Sequence, residues 1–330
     1  MGLAWGILST ANINDKVIEG AAASEKADIV AVASRDQRRA EAYAREKGIE
    51  RAHGSYESLL ADPEVEAVYI SLPNGMHVEW SIKALEAGKH VLCEKPLSRR
   101  VADVERAFDV AQGADRLLME AFMYRHNPQT RRLSQLLADG AIGRLRHVRA
   151  AFSFPMPDPG ADVRNNAELD GGALMDVGCY CVSGSRLIAG EPERVYGEQV
   201  TGESGVDVRF TATMRFAGDA TGQFDCGLML PVRDELEAIG DDGTLFLDDP
   251  WHCREPLIEL RRRPTGSNPV EVERFEVGVE QSYRLELENL GDAIAGETAP
   301  LLGREDAVGQ ARVIEALYRS AEEEGPVSLP

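Results

Sequence analysis

Apolar runs of strand length recur through the first third of the chain: LAWGILS, ADIVAVAS, EAVYISLP, KHVLCEKP and RLLMEAFMY. The stretches between them carry apolar residues at helical spacing, so this third reads as alternating strand and helix. One such helix, RDQRRAEAYAREKG, places basic residues just before Gly48, a sound stop. A second, HVEWSIKALEAGK, ends at Gly88, and Ser98 is placed to cap a third that runs through Phe108 and Val110. Alternating units with short connections predict a parallel sheet covered on both faces, the doubly wound nucleotide-binding arrangement.

Near Tyr124 to Pro128 the rhythm changes. After a helix over 129–138, RLRHVRAAFSF, VDVRFTATMRF, ATGQFDCGLML, DELEAIG and GTLFLDD follow one another, interrupted by one helix that begins near Gly171. Strands that follow directly on strands predict a largely antiparallel sheet. A last helix is expected over 304–323. The expected fold class is therefore α/β: a Rossmann domain over 1–125, then an α+β domain over 126–330. Residues 155–172 (PMPDPGADVRNNAELDGG) form the one long irregular segment, and such loops are often functional.

Charge narrows the partners. A net charge of -20 argues against nucleic acid and anionic membrane, both polyanions. No apolar run approaches the roughly 20 residues that span a bilayer, and MGLAWGILSTAN lacks the basic and apolar blocks of a secretory signal. A cytoplasmic location is expected. Cys93, Cys179, Cys181, Cys226 and Cys253 form no CxxC pair and no Cys/His cluster at zinc spacing, so no metal is expected.

The first strand-to-helix turn should carry GxGxxG if the sheet binds a dinucleotide. Here it reads Ser9-Thr10-Ala11-Asn12-Ile13-Asn14, with every glycine replaced. Its position still offers backbone N–H groups and a helix N-terminus to an anion, and Ser9 and Thr10 add hydroxyl donors. The second strand ends at Ser34-Arg35, with Arg38 and Arg39 beyond, where an NAD enzyme usually places a carboxylate on the ribose. A hydroxyl and guanidinium groups bind a 2′-phosphate that a carboxylate would repel. The cofactor expected is NADP, with NAD weaker.

The run SLPNGMHVEWSIKALEAGKHVLCEKPLS resembles the hallmark of the glucose–fructose oxidoreductase / inositol dehydrogenase (Gfo/Idh/MocA) family. The likeness covers essentially the whole chain. GILSTANI, LMEAFMYRHNPQ and GGALMDVGCY look most like the branch with dimeric dihydrodiol dehydrogenases and NADP-dependent D-xylose dehydrogenases. The resemblance implies a second domain built on a large open-faced sheet. It implies cofactor contacts at Leu72, Pro73, Asn74, His77 and Glu94, with Lys95 between nicotinamide and substrate. Asp176 and Tyr180 match the family's Asp-x-x-x-His pattern, with tyrosine in place of histidine, which puts inositol in doubt as substrate.

The chemistry expected of these residues is specific. Lys95, at the carboxyl edge of the sheet, can stabilise alkoxide character during hydride transfer. Tyr180, four residues after Asp176 on a predicted helix, shares its face. Nearby positive charge would lower a phenol from its usual pKa of about 10, so Tyr180 can exchange a proton with a substrate hydroxyl. Asp176 would position substrate or lysine, and Arg125, Arg164 and Asn165 are further candidates for substrate contact. The expected activity is NADP-dependent hydride transfer between the nicotinamide and a secondary or anomeric hydroxyl, or the corresponding carbonyl, of a sugar-like polyol, with D-xylose or another aldose first. A trans-dihydrodiol dehydrogenase, an aldose–aldose oxidoreductase that retains its nucleotide, and a non-catalytic NADP-binding regulator remain open. Alternation in VDVRFTATMRF sets Val206, Val208, Phe210, Ala212 and Met214 against Asp207, Arg209, Thr211, Thr213 and Arg215. One apolar face is expected to lie uncovered, and the polar set suits a wet contact, so a homodimer or homotetramer through this sheet is expected.

Overall fold

The structure, a computed structural model, describes residues 2–156, 160, 162–254, 256–264 and 270–330. Its first stretch runs β1 (Leu3–Leu8), α1 (Asn14–Ala22), β2 (Ala27–Ala33), α2 (Gln37–Lys47), β3 (Arg51–His53) and α3 (Tyr56–Leu60). It continues through β4 (Ala67–Ile70), α4 (His77–Glu86), β5 (His90–Glu94), α5 (Val101–Gly113) and β6 (Leu118–Ala121). Then come α6 (Pro128–Ala138), β7 (Leu145–Pro155), α7 (Cys179–Ala189), β8 (Pro192–Thr201), β9 (Asp207–Phe216) and β10 (Thr221–Gly227). The chain closes with β11 (Met229–Gly240), β12 (Gly243–Asp248), β13 (Leu257–Arg262), β14 (Val272–Glu276), α8 (Ser282–Ile294), α9 (Arg304–Glu323) and β15 (Val327–Ser328). Two compact units result: Met1–Met123 with Gln281–Val308, and Tyr124–Glu280 with Gly309–Pro330.

The first unit is a parallel sheet in the order β3-β2-β1-β4-β5-β6. Ile7, Leu8, Val68, Tyr69, Val91 and Leu92 are fully buried, as expected of strands covered on both faces. Helix α2 starts where Asp36 accepts the Arg39 N–H at 2.8 Å and stops at Gly48, whose φ of 71° is the left-handed closure the sequence implies. The expected cap of α5 is corrected. The Ser98 hydroxyl accepts from Arg100 N–H, and the helix begins only at Val101. Helix α8 also belongs to this unit and packs on α1. A side chain at Gly20 would put its Cβ 2.8 Å from Arg284 N, so the two helices approach along a glycine.

The second unit carries the sheet β14-β13-β12-β11-β7-β10-β9-β8-β15, antiparallel except for the parallel pair β7–β10. Phe210, Ala212 and Met214 of β9 are buried, while Arg209, Thr211 and Thr213 are exposed. The expectation of an uncovered apolar face is therefore corrected: helices cover the apolar side and the open side is polar. Asp207 also departs from its place in the polar set, being buried and bonded to Leu174 N–H and the Tyr318 hydroxyl. Of the long irregular segment, residues 157–159 and 161 lie outside the described residues.

Candidate active site

The glycine-free turn after β1 is held by side chains. Ser9 has φ 151°, a region glycine enters easily and other residues seldom do. Ser71 donates to Asn14 Oδ1 at 2.6 Å, the Asn14 amide donates to the Ser9 carbonyl at 3.0 Å, and the Ser9 and Ser71 oxygens lie 2.7 Å apart. Since the one Ser71 hydrogen goes to Asn14, Ser9 must give its own to Ser71. The Ser9 oxygen also accepts from Ala11 N–H at 3.0 Å. The expected role of Ser9 as a hydroxyl donor to phosphate is corrected on this ground: its hydroxyl anchors the turn. Thr10, Ala11, Asn12 and Ile13 form the lip before α1, where the helix N-terminus favours an anion.

At the end of β2, Ser34 is buried and its N–H is bonded to the His53 carbonyl. Arg35 and Arg39 are exposed, and both act electrostatically on the Tyr56 hydroxyl, which places them at one spot. Burial outweighs both arginines and raises the Tyr56 phenol above its usual range. Neither arginine forms an ion pair with a described carboxylate. Asp36, the nearest acid in sequence, is occupied in capping α2. This unpaired positive charge beside a hydroxyl suits the 2′-phosphate of NADP, and the helix lip suits its diphosphate.

Beyond β4, Leu72 and Pro73 lead into a short turn, Asn74–Met76. His77 follows at 1% exposure, with Nδ1 2.9 Å from the Pro96 carbonyl and Nε2 2.7 Å from the Leu72 carbonyl. Its ring thus ties the loop after β4 to the loop after β5, so both ring nitrogens serve the backbone. At the end of β5, Glu94 accepts the Tyr69 hydroxyl at 2.5 Å, and the Lys95–Pro96 peptide is cis. The next amide, Leu97 N–H, goes to the buried Glu120 on β6 at 2.8 Å. Lys95 is fixed at the carboxyl edge of the sheet, where ligands of such sheets bind. Glu286 of α8, wholly buried, has both carboxylate oxygens without a hydrogen bond, and burial raises its carboxyl well above the usual range.

In the second unit Asp176 lies in a π-helical turn, Leu174–Gly178, that precedes α7. The expectation of ordinary α-helical spacing between Asp176 and Tyr180 is corrected by this wider turn, a feature frequent at functional sites. Arg164 Nε donates to Asp176 at 2.7 Å, and its Nη1 reaches Asp162 at 3.1 Å. Arg164 therefore sits beside Asp176 as its partner, whereas Asn165 is engaged with the Ser204 hydroxyl. Gly172, at φ 122°, returns the chain onto the helix start. A Cβ there would meet the Asp207 carboxylate at 2.1 Å, and that carboxylate caps Leu174 N–H at 2.7 Å.

Tyr180 is 8% exposed, its ring 5.3 Å from Phe152, 5.8 Å from Tyr124 and 5.9 Å from Trp251, centroid to centroid. Arg125 lies in a short turn after β6, Met123–His126. Its Nη1 is 3.4 Å from the Ser183 hydroxyl, which also accepts from Tyr124 at 2.7 Å. Sequence reasoning missed Asn14, Ser71, Asp207 and the aromatic cradle of Tyr124, Phe152 and Trp251. The aromatic residues were visible as residues, but their convergence is set by the sheet. Chemically, the first unit offers an anion cradle and a lysine at a sheet edge. The second offers a phenol in an apolar cradle near a carboxylate already matched by an arginine.

Comparison with known proteins places this geometry. Residues 3–122 match the family model described as "Oxidoreductase family, NAD-binding Rossmann fold", and residues 130–246 match the GFO/IDH/MocA C-terminal domain. D-xylose 1-dehydrogenase (NADP(+)) 2 of Haloferax volcanii is 39% identical over 326 residues, covering 98% of this chain and 99% of that protein. Human trans-1,2-dihydrobenzene-1,2-diol dehydrogenase is 34% identical over 292 residues, covering 86% of each. The 3-ketoreductase KijD10 of Actinomadura kijaniata, solved with NADP and TDP-benzene, superimposes with a TM-score of 0.89 at 30% identity, covering 97% of this chain and 98% of that one.

Proposed function

Because the chain belongs to the Gfo/Idh/MocA oxidoreductases, we propose that it oxidises a secondary or anomeric hydroxyl of a sugar-like polyol with NADP, D-xylose or another aldose first. The observation that carries the cofactor reading is the exposed Arg35 and Arg39 beside Ser34, without a described carboxylate partner, while Asp36 is occupied in capping α2. Bound NADP would be held by these residues, by the Thr10–Ile13 lip and by Leu72 to Asn74, and it supplies the hydride acceptor. Lys95 binds the substrate oxygen and stabilises the negative charge that grows there. Tyr180 takes the hydroxyl proton and passes it on, so that the carbinol loses a proton and a hydride and becomes a carbonyl. Asp176, neutralised by Arg164, orients the substrate and does not itself take the proton.

The aromatic cradle of Tyr180 supports a second reading, trans-dihydrodiol oxidation, since a flat apolar ring packs well on such walls. Absorbance of NADPH across pentoses, hexoses, inositols and cyclic diols separates the two. The aldose reading expects the highest kcat/KM on a pentose or hexose. A preference for a cyclic diol transfers the proposal to the second reading, and failure of every alcohol to reduce NADP rejects both. The site is that of a cytoplasmic enzyme on this reading; among the described residues no helix is long and apolar enough to cross a membrane.

A further inference from the structure

The turn after β12 carries Trp251 into the aromatic cradle, and its backbone is strained. Asp249 has φ 70° and Cys253 φ 54°, both in the left-handed region that non-glycine residues seldom occupy. Such a turn needs strong local bonds, and an ion cluster supplies them. His252 Nδ1 lies 2.6 Å from an Asp234 oxygen and 3.4 Å from an Asp249 oxygen. Arg254 donates to Asp249 through its Nη2 at 2.8 Å, and Arg254 N–H goes to the same carboxylate at 2.6 Å. The other Asp234 oxygen accepts Trp251 N–H at 3.3 Å, so one buried carboxylate holds both the imidazole and the backbone of the tryptophan.

Trp251 is then fixed on every side. Its indole N–H donates to the Ala151 carbonyl at 3.1 Å, and Gly184 of α7 leaves room for its six-membered ring, since a Cβ there would approach it to 2.7 Å. Its ring meets Tyr124 edge-on at 5.3 Å and Tyr180 at 5.9 Å. The His252 ring itself stands edge-on to Phe152 at 5.5 Å, and Phe152 packs on Tyr180 at 5.3 Å. We propose that His252, as the imidazolium clasped between Asp234 and Asp249, is a positioning residue that holds Trp251 and Phe152 against Tyr180. This rests on the reading of Tyr180 as the proton carrier.

The groups that face His252 fix the direction of its titration. They are Asp234 from β11, Asp249 and Arg254 from its own turn, and the uncharged Phe152 ring from β7. Arg233, beside Asp234 on β11, turns instead to Asp225. Bonds to Asp234 and Asp249 raise the imidazole to about 9 against the opposing effects of burial and Arg254. Burial holds Asp234 above its usual range, whereas the Asp249 carboxyl, bonded to both His252 and Arg254, lies below its own. The clasp is thus intact at neutral pH and opens as pH rises through about 9.

The test is a titration of the whole protein with ring-labelled histidine and fluorotryptophan, read by NMR, with His252→Asn and Trp251→Phe assigning the lines. The His252 ring should titrate near pH 9, and the Trp251 line should shift with the same midpoint. With NADP and the best alcohol, kcat should fall at least about tenfold over that same transition, because misplacement of a reacting group by about 1 Å can cost on the order of 10²-fold. His252→Lys, which keeps a cation to a higher pH, should move the Trp251 transition upward. A His252 midpoint near 6.5, or a Trp251 line that stays fixed through the His252 titration, overturns the proposal, as does a shift of Trp251 that leaves kcat unchanged. If His252→Asn does not fold, His252→Lys assigns the His252 line in its place, and the titration of the unaltered protein still decides these outcomes. A Tyr180→Phe variant with parental kcat would instead overturn the proton-carrier reading, whatever His252 does.

Discussion

Replacing Arg35 and Arg39 by alanine isolates the contribution of the 2′-phosphate. Both guanidinium groups are solvent-exposed and without a described carboxylate partner, so their removal strands no buried charge and the Rossmann sheet is expected to stay intact. A hydrogen bond between charged groups contributes about 1.5–3 kcal/mol, and solvent screening at this exposed site argues for the lower end. Each arginine should therefore cost roughly tenfold in NADP affinity, at about 1.4 kcal/mol per factor of ten. The double variant should lose somewhat less than a hundredfold, since two cations on one dianion overlap in effect. NAD has no phosphate at that position, and its affinity should change by less than about threefold on the same arithmetic. Calorimetric titration of parent and double variant with both nucleotides reads the difference directly. Raising the salt should shrink the NADP preference of the parent, because the Debye length falls from about 10 Å at 0.1 M to about 3 Å at 1 M. Equal weakening of NADP and NAD would refute the reasoning, since it would assign the arginines to the fold or to a shared part of the nucleotide. An unchanged NADP affinity would refute it too.

Three further outcomes are expected. Asp207→Ala removes the acceptor of Leu174 N–H and of the Tyr318 hydroxyl, and the buried N–H left unpaired costs roughly 1–3 kcal/mol, so denaturant unfolding should show a less stable protein; a midpoint within error of the parent would contradict this. His126 is held neutral by burial and by Arg125 and Arg131, down to about 3. The unfolded chain binds a proton there that the folded one does not, so stability should fall with pH from about 6.5 toward 3 by roughly 1.4 kcal/mol per unit, and His126→Gln should flatten that slope in melting curves. The open face of the larger sheet holds a concavity of about 500 Å³ between Arg149, Tyr196, Gln223, Arg233 and Arg261; on this polar ground we propose a wet subunit contact, and a monomer by light scattering at micromolar concentration would contradict it.

How far the sequence reads depends on the separation of the partners. Local signals were legible: the Gly48 closure of α2, the strand that delivers Lys95, and the change from parallel to antiparallel strands. Each is written in runs of neighbouring residues, read one after another along the chain. The lock on the glycine-free turn was not legible, because Ser71 lies 62 residues from Ser9, and nothing around it marks it as a turn anchor. Asp207 illustrates a different limit. Strand alternation assigned it to the polar face, but the strand begins where the helix start needs an acceptor, and the carboxylate turns inward to Leu174. Spacing likewise suggested an α-helical pair at Asp176 and Tyr180, while the π-turn at Leu174–Gly178 depends on packing that spacing does not encode. The place of helix α8 on α1 is not legible either, since it is set by contacts such as Gln281 to the Lys16 carbonyl, 265 residues apart.

The central claim is that Tyr180 carries the substrate proton, and Tyr180→Phe tests it most directly. The substitution keeps the ring that Phe152, Tyr124 and Trp251 enclose and removes only the hydroxyl. Steady-state kinetics with NADP and the best alcohol should show kcat lower by about 10²–10⁴, the usual contribution of general acid–base catalysis. NADP affinity should be nearly unchanged, because the residues proposed to hold the nucleotide lie in the other unit. A variant that keeps near-parental kcat would contradict the account.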